Sequence, residues 1–199
     1  EFIEKYYETI QEFLDRGFCV ICFDWRGQGI SDRMIKDKRK QYLNDFKIYD
    51  SDLSFIIRNI IKPNLPEPLI GIGHSMGGCI MLSSLEKHDN DFDAMILSAP
   101  MLGFKNEKLL RPIIKLSSFL RKDHDFLIGS KPNYGFETPF DENELTTDPL
   151  RYKRTQELVR LLPEIRLWGI TNIWARAALK RLIYLRKSKF IENLNTKLL

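Results

Sequence analysis

The chain has 199 residues, which is enough for one domain with a substantial core or for a core that carries an insertion. Hydrophobic residues make up 43% of it, charged residues 29%, and the formal net charge is +4. So small and dispersed a charge argues against nucleic acid as a partner. Since there is no run of about 20 apolar residues and no charged-then-apolar leader, we predict a cytoplasmic protein without a transmembrane segment.

The first elements are a helix and a strand. Apolar residues spaced by three and four predict an amphipathic helix over residues 2–15, which Gly17 ends. Residues 18–23 form a continuous β-forming run and predict an internal parallel strand. We interpret Cys19 and Cys22 as core residues of this strand, because a redox C-x-x-C motif requires the start of a helix.

The loop after this strand, residues 24–31, contains two glycines two positions apart. The third glycine of a G-x-G-x-x-G nucleotide loop is missing, so we predict that Asp24 and Arg26 hold the loop by hydrogen bonds instead. The charged segment that follows, which includes Arg33, predicts a solvated surface.

Helix and strand then continue to alternate. A second helix is predicted over residues 50–61, where apolar side chains share one side. The apolar run from Leu69 to Gly73 predicts a strand buried on both faces, and helical spacing resumes after Gly78. Residues 92–97 predict one more strand. This alternation predicts an α/β protein with a parallel sheet and right-handed crossovers.

Residues 73–77 read Gly-His-Ser-Met-Gly, a G-x-S-x-G motif between a strand and a helix. A turn of this kind strains the serine backbone and exposes its hydroxyl, which predicts that Ser75 is a nucleophile. We expect Gly73 and Gly77 to be required because a Cβ would collide with the turn, and Gly78 to let the helix approach the sheet closely. The backbone N–H of Met76 begins the helix and is the predicted oxyanion donor.

None of the three histidines is predicted to be the base for Ser75. The side chain of His74 leaves the turn in another direction and is expected to have a structural role. His88 follows about 18 Å along the helix axis, at about 1.5 Å per residue. His124 lies among charged residues in the second half of the chain.

From residue 101 to about residue 195 the pattern is helical, with no convincing strand. Helices are predicted over residues 108–120, 149–162 and 171–190. We interpret this stretch as a cap over a cleft, in which most of the many aromatic side chains fill the cap's own core. The predicted domains are a core with the G-x-S-x-G turn (1–100), a helical cap (101–190) and the start of a returning core strand (191–199).

Several segments together resemble the α/β-hydrolase superfamily, and within it the lysophospholipase and monoacylglycerol lipase group, whose members are often described as serine aminopeptidase-like. They are residues 23–31, 73–78, 145–152 and 168–172. The resemblance implies a partial α/β-hydrolase fold, with a parallel sheet flanked by helices and an all-helical cap insertion. It also implies that the chain begins after the loop with the second oxyanion donor and stops before the strands that carry the triad aspartate and histidine.

The implied activity is hydrolysis of carboxylic esters through an acyl-enzyme, with lysophospholipids or monoacylglycerols as substrates and no metal or organic cofactor. A small-ester esterase, a proline-type aminopeptidase and a non-catalytic protein that binds a ligand or partner stay open as alternatives. Since the triad partners are expected outside them, these residues alone are expected to be inactive. Basic residues of the last helix, such as Lys180 and Arg181, are interpreted as a solvated surface, with peripheral contact with membrane lipid left open as the alternative. The oligomeric state is unknown.

Overall fold

The computed structural model describes residues 1–128, 138–143, 145–187 and 189–199. In chain order, the helices are α1 (Tyr7–Asp15), α2 (Lys47–Ile56), α3 (Lys62–Asn64), α4 (Met76–His88), α5 (Glu107–Phe119), α6 (Pro149–Leu161) and α7 (Asn172–Lys187). The strands are β1 (Lys40–Gln41), β2 (Ile70–His74), β3 (Ala94–Ser98), β4 (Gly169–Ile170) and β5 (Lys197–Leu198). A π-helical turn, Ile57–Ile61, continues α2, and short 3-10 turns lie at Ile3–Tyr6, Phe140–Glu142, Pro163–Ile165 and Phe190–Asn193. Within this part of the chain, none of the helices has both the length and the hydrophobicity of a bilayer-spanning segment.

The chain folds into two compact units, and each combines segments that are distant in sequence. The first unit comprises Glu1–Leu43 and Ile113–Ala175, and the second comprises Asn44–Pro112 and Arg176–Leu199. A small cluster in the first unit buries Phe2 against Val159 and Ile165. The second unit contains the G-x-S-x-G motif and the main sheet.

The prediction of a strand over residues 18–23 is wrong. These residues, all described, take no regular secondary structure, and the side chain of Phe18 is 49% exposed. Cys19 and Cys22 are exposed free thiols, so their predicted core packing is wrong as well. A β-forming run becomes a strand only when another strand pairs with it, and no described strand pairs with this one.

The expectation of an all-helical insertion over residues 101–190 is also wrong, because β4 lies within it. β4 pairs in parallel with β1, and Phe126 forms an isolated antiparallel bridge with Thr171. The Thr171 amide and hydroxyl both donate to the Gln41 carbonyl, at 3.1 and 2.8 Å. A two-residue strand is too short to show a period of two, so its sequence carried no signal.

The second unit is built on a parallel sheet with the strand order β2-β3-β5, which confirms the predicted parallel sheet flanked by helices. Ile72 pairs with Ile96 in the β2–β3 register, and His74 pairs with Ser98. α4 packs against the face of β2 that carries Gly71 and Gly73. The other face of β2 is open within this unit: Ile72 is 50% exposed, so the predicted burial of this strand on both faces is wrong.

A buried ion pair joins α7 to α2 inside the second unit. The Arg181 side chain is 6% exposed, and its Nη2 lies 2.6 Å from Oδ2 of Asp50, which is 8% exposed. The same guanidinium donates to the hydroxyl and the carbonyl oxygen of Ser83. Burial raises the pKa of Asp50, although the Arg181 charge opposes this effect. The interpretation of Arg181 as part of a solvated or lipid-facing surface is therefore wrong.

Two more exposed ion pairs, which Glu107 forms with two arginines, predict how stability depends on pH. Oε1 of Glu107 accepts from Arg186 Nη2 at 2.9 Å and from Arg111 Nη2 at 2.5 Å. Hydrogen bonds from Arg186, and then from Arg111, lower the pKa of Glu107 from its ordinary value of 4.5 to about 2. Because the pKa is lower in the folded state, the carboxylate stabilises the fold above about pH 4.5, and this contribution is lost as the pH falls towards 2.

We therefore expect the Glu107→Gln variant to melt at a lower temperature than the wild type at pH 7. The difference should shrink below about pH 4.5 and vanish near pH 2, as followed by circular dichroism. A difference in melting temperature that stays the same across this range would contradict the assignment.

Candidate active site

The turn between β2 and α4 consists of one residue, Ser75. β2 ends at His74, α4 begins at Met76, and Ser75 has φ 51° and ψ −117°. A positive φ strains a residue with a side chain, and such strain persists only where the surroundings enforce it. Here the Ser75 amide donates to the Ser98 carbonyl at 3.1 Å, and the Ser75 carbonyl accepts from the Met101 amide at 2.8 Å. The end of β3 and the residues after it therefore hold the strained conformation.

Two glycines allow this turn to form where β2 meets α4. A Cβ atom added at Gly73 would lie 2.8 Å from Cα of Gly78 and 3.0 Å from the carbonyl oxygen of Gly77. One added at Gly78 would lie 2.8 Å from Cβ of Pro100 and 3.1 Å from the Gly73 oxygen. Most of these contacts are with backbone, which cannot rotate away, so a side chain at either glycine would push the helix off the strand.

Ser75 occupies the N-cap position of α4, yet its hydroxyl makes no capping hydrogen bond to this helix. Serine often caps a helix through its side chain, and here its oxygen is not used in that way. Met76 is the first helical residue, and the amides of a first turn point out of the helix at its positive end. Ser75 itself is half-buried. The roles of Ser75 as nucleophile and of the Met76 amide as oxyanion donor stay predictions.

Both histidines of the second unit have partners other than the Ser75 hydroxyl. His74 is exposed, and its Nδ1 lies 3.1 Å from the carbonyl oxygen and 3.2 Å from the hydroxyl of Ser98, beside the turn. His88 is buried at the last position of α4, where its Nε2 lies 2.6 Å from Oγ of Ser54. In the first unit, the His124 ring centroid lies 5.1 Å from that of Tyr42, and the two ring planes are tilted by 56°.

The loop over residues 24–31, in the first unit, is held mainly by two charged side chains. The Asp24 carboxylate accepts from the amides of Ile3 and Ile30, each at 3.0 Å, which confirms its predicted structural role. Arg26 has its Nη1 3.8 Å from the sulfur of Met34. Arg33 also contributes, because it donates to the carbonyl oxygens of Gly29, Ser31, Lys38 and Glu164. The expectation that Arg33 is solvated is wrong, and nothing in the charge pattern distinguished it from its basic neighbours.

Comparison with known proteins places these features in a family. A family profile described as serine aminopeptidase, S33, matches residues 1–189. Lysophospholipase L2 of Escherichia coli K12 is 30% identical over 185 residues, which cover 88% of this chain and 52% of that protein. Probable lysophospholipase L2 of Haemophilus influenzae is 31% identical over 183 residues, covering 89% and 57%. The monoacylglycerol lipase of Mycolicibacterium smegmatis is 28% identical over 99 residues, covering 50% and 34%.

The chain thus spans about half the length of the lysophospholipases that it matches. The crystal structure of a Paleococcus ferrophilus monoacylglycerol lipase superposes with a TM-score of 0.68 and 18% identity over 100% of this chain and 67% of that chain. A Bacillus coagulans carboxyl esterase superposes with a TM-score of 0.58 and 19% identity over 92% and 59%. These likenesses show an α/β-hydrolase fold. Because the profile match extends over nearly the whole sequence, this chain belongs to the serine aminopeptidase (S33) family of α/β-hydrolases.

Proposed function

We propose that this protein hydrolyses carboxylic esters, with Ser75 as the nucleophile and with lysophospholipids or monoacylglycerols as substrates. The observation that carries the proposal is the strained Ser75 between β2 and α4, with φ 51° and a hydroxyl that does not cap the helix. Relatives named lysophospholipase L2 and monoacylglycerol lipase support the substrate class. We also propose a cytoplasmic location, which rests on the composition of the sequence.

In the proposed mechanism, a base takes the proton of the Ser75 hydroxyl while the oxygen attacks the ester carbonyl. The oxyanion that forms accepts a hydrogen bond from the Met76 amide, at the positive end of the α4 dipole. The alcohol leaves with the proton, and water then cleaves the acyl-enzyme to release the fatty acid. We assign neither His74 nor His88 as the base, because both side chains bond to other groups.

A second candidate is cleavage of amides, since the family description names an aminopeptidase. The turn itself does not distinguish the two reactions, because esters and amides pass through similar tetrahedral intermediates. The substrate preference must therefore be measured.

The test combines covalent labelling with a substrate panel. After treatment of the full-length protein with a fluorophosphonate, peptide mass spectrometry should find the phosphonate on Ser75, with fluoride as the leaving group. Monoacylglycerols and lysophospholipids with long acyl chains should then be cleaved faster than acetyl esters or proline amides. Failure to label Ser75 in the folded full-length protein would overturn the nucleophile, whereas labelling with a preference for proline amides would overturn the substrate class alone.

A further inference from the structure

A polar cavity lies at the end of α4 opposite Ser75. It occupies about 390 Å³ between the end of α4 and the side of α2 with its π-helical continuation, Ile57–Ile61. Six polar residues line it, and Phe55 completes the wall. They are Ser51, Ser54, Arg58, Asn59, Lys87 and His88. The cavity is thus large enough for a small ligand and has donors on several sides.

The charge of this lining has one sign. Ser51, Ser54 and Arg58 are spaced by three and four residues, so one side of α2 and its π-helical continuation presents them together. Lys87 comes from the last turn of α4. Arg58 and Lys87 are the charged residues on the cavity wall, apart from any charge on His88, and none of the lining residues is a carboxylate. Such a wall favours an anion.

The inner wall is fixed by a chain of hydrogen bonds. His88 is 4% exposed, with Nε2 2.6 Å from Oγ of Ser54 and Nδ1 2.6 Å from Oδ2 of Asp91. Burial works to raise the pKa of Asp91, but hydrogen bonds from Lys62 and His88 outweigh it and lower that pKa. An ionised Asp91 holds the proton on Nδ1 of His88 and orients the ring towards Ser54. The Ser54 hydroxyl is therefore held in place at the cavity wall.

This serine, histidine and aspartate form the hydrogen-bond chain of a catalytic triad, but their surroundings do not favour catalysis. Ser54 lies within α2, where the neighbouring amides bond along the helix and cannot hold an oxyanion. Its hydroxyl also lies 2.7 Å from the Asp50 carbonyl oxygen of its own helix. The arrangement is suited to binding a ligand rather than to attacking one.

We propose that this cavity binds a phosphate group, either as inorganic phosphate or as the phosphate of a lipid headgroup. Phosphate suits the lining because the planar Arg58 guanidinium can donate two parallel hydrogen bonds to it, while Lys87 supplies a compact charge. The site lies at the last turn of α4 and Ser75 precedes its first turn, about 18 Å away along the helix axis. It is therefore separate from the proposed nucleophile, and its occupancy does not depend on ester hydrolysis.

The test measures binding of inorganic phosphate at constant ionic strength. Wild-type protein should show saturable binding, seen as a rise in melting temperature and as shifts of the backbone amide NMR signals of residues 51–59 and 87–88. The Arg58→Ala, Lys87→Ala double variant should bind at least about 10-fold more weakly, because two charge-assisted contacts are lost. Both side chains belong to exposed residues, so the variant is expected to fold, which circular dichroism checks.

A matched control removes two positive charges elsewhere in the same unit. Lys47 and Lys105 are exposed and do not line the cavity, so their double alanine variant should bind phosphate as the wild type does. Equal weakening in both double variants, or no saturable binding by the wild type, would overturn the proposal.

Vesicles of phosphatidylglycerol distinguish the two sources of phosphate. If the ligand is a headgroup, wild-type protein should float with the vesicles, inorganic phosphate should compete, and the Arg58→Ala, Lys87→Ala variant should lose flotation. If the ligand is free phosphate, added phosphate should shift the NMR signals of the cavity residues equally in the presence and in the absence of the vesicles.

Discussion

Replacement of Ser75 by alanine in the full-length protein is expected to lower kcat for ester hydrolysis by about 10⁶-fold, the scale seen when a serine nucleophile is removed. The variant has no oxygen with which to form the acyl-enzyme, so the residual rate comes from binding and from oxyanion stabilisation alone. Initial rates with a monoacylglycerol measure the loss. The fluorophosphonate label should disappear from the same peptide.

Ser98→Ala is the matched control for this experiment. Ser98 supports the turn through its backbone carbonyl, which the variant keeps, and it sits beside β2 in the sheet register. Its rate should stay close to that of the wild type, and both variants should melt near the wild-type temperature. Turnover by Ser75→Ala at the wild-type rate would contradict the proposed nucleophile.

Replacement of Arg181 by alanine is expected to destabilise the second unit by about 3–5 kcal/mol. The variant leaves the Asp50 carboxylate buried without the guanidinium 2.6 Å away and removes donors to Ser83. A urea titration followed by circular dichroism gives the free energy of unfolding. Asp50→Leu combined with Arg181→Met should cost far less, because no charge is then left buried.

Lys180→Ala controls for the loss of a positive charge at the neighbouring position of α7. The Lys180 side chain is 75% exposed and lies 3.7 Å from Asp45, so its pair should contribute less than about 1 kcal/mol. Equal effects of Lys180→Ala and Arg181→Ala on the free energy of unfolding would contradict the buried ion pair.

The contrast between these two basic residues shows which features the sequence predicts and which it does not. The helix that carries them was predictable, because its apolar spacing is a local pattern. Which basic side chain turns inward depends on a carboxylate about 130 positions earlier in the chain, and periodicity does not encode that partner. The same reason explains Arg33, whose carbonyl partners include Glu164.

The β2–α4 turn and the predicted strand over residues 18–23 show the same difference between local and distant causes. The turn at Ser75 was predictable because its causes lie within a few residues, namely the glycines on either side and the helix that follows. Residues 18–23 also have high β propensity, but no described strand pairs with them. Propensity alone therefore led to the wrong prediction of a strand. Domain boundaries also depend on contacts between residues that are far apart in the sequence. The division into a core and a cap at residues 100 and 190 therefore stays a prediction.

The strain at position 75 originates in the scaffold rather than in the serine. Hydrogen bonds of the Ser75 backbone with the Ser98 carbonyl and the Met101 amide hold that φ angle, and Gly73 and Gly78 allow β2 and α4 to approach closely at the turn. A Ser75→Cys substitution, which exchanges the side-chain oxygen for sulfur, should therefore leave the backbone of the turn unchanged. A side chain at Gly73 or Gly78 would instead require β2, α4 or the neighbouring backbone to move.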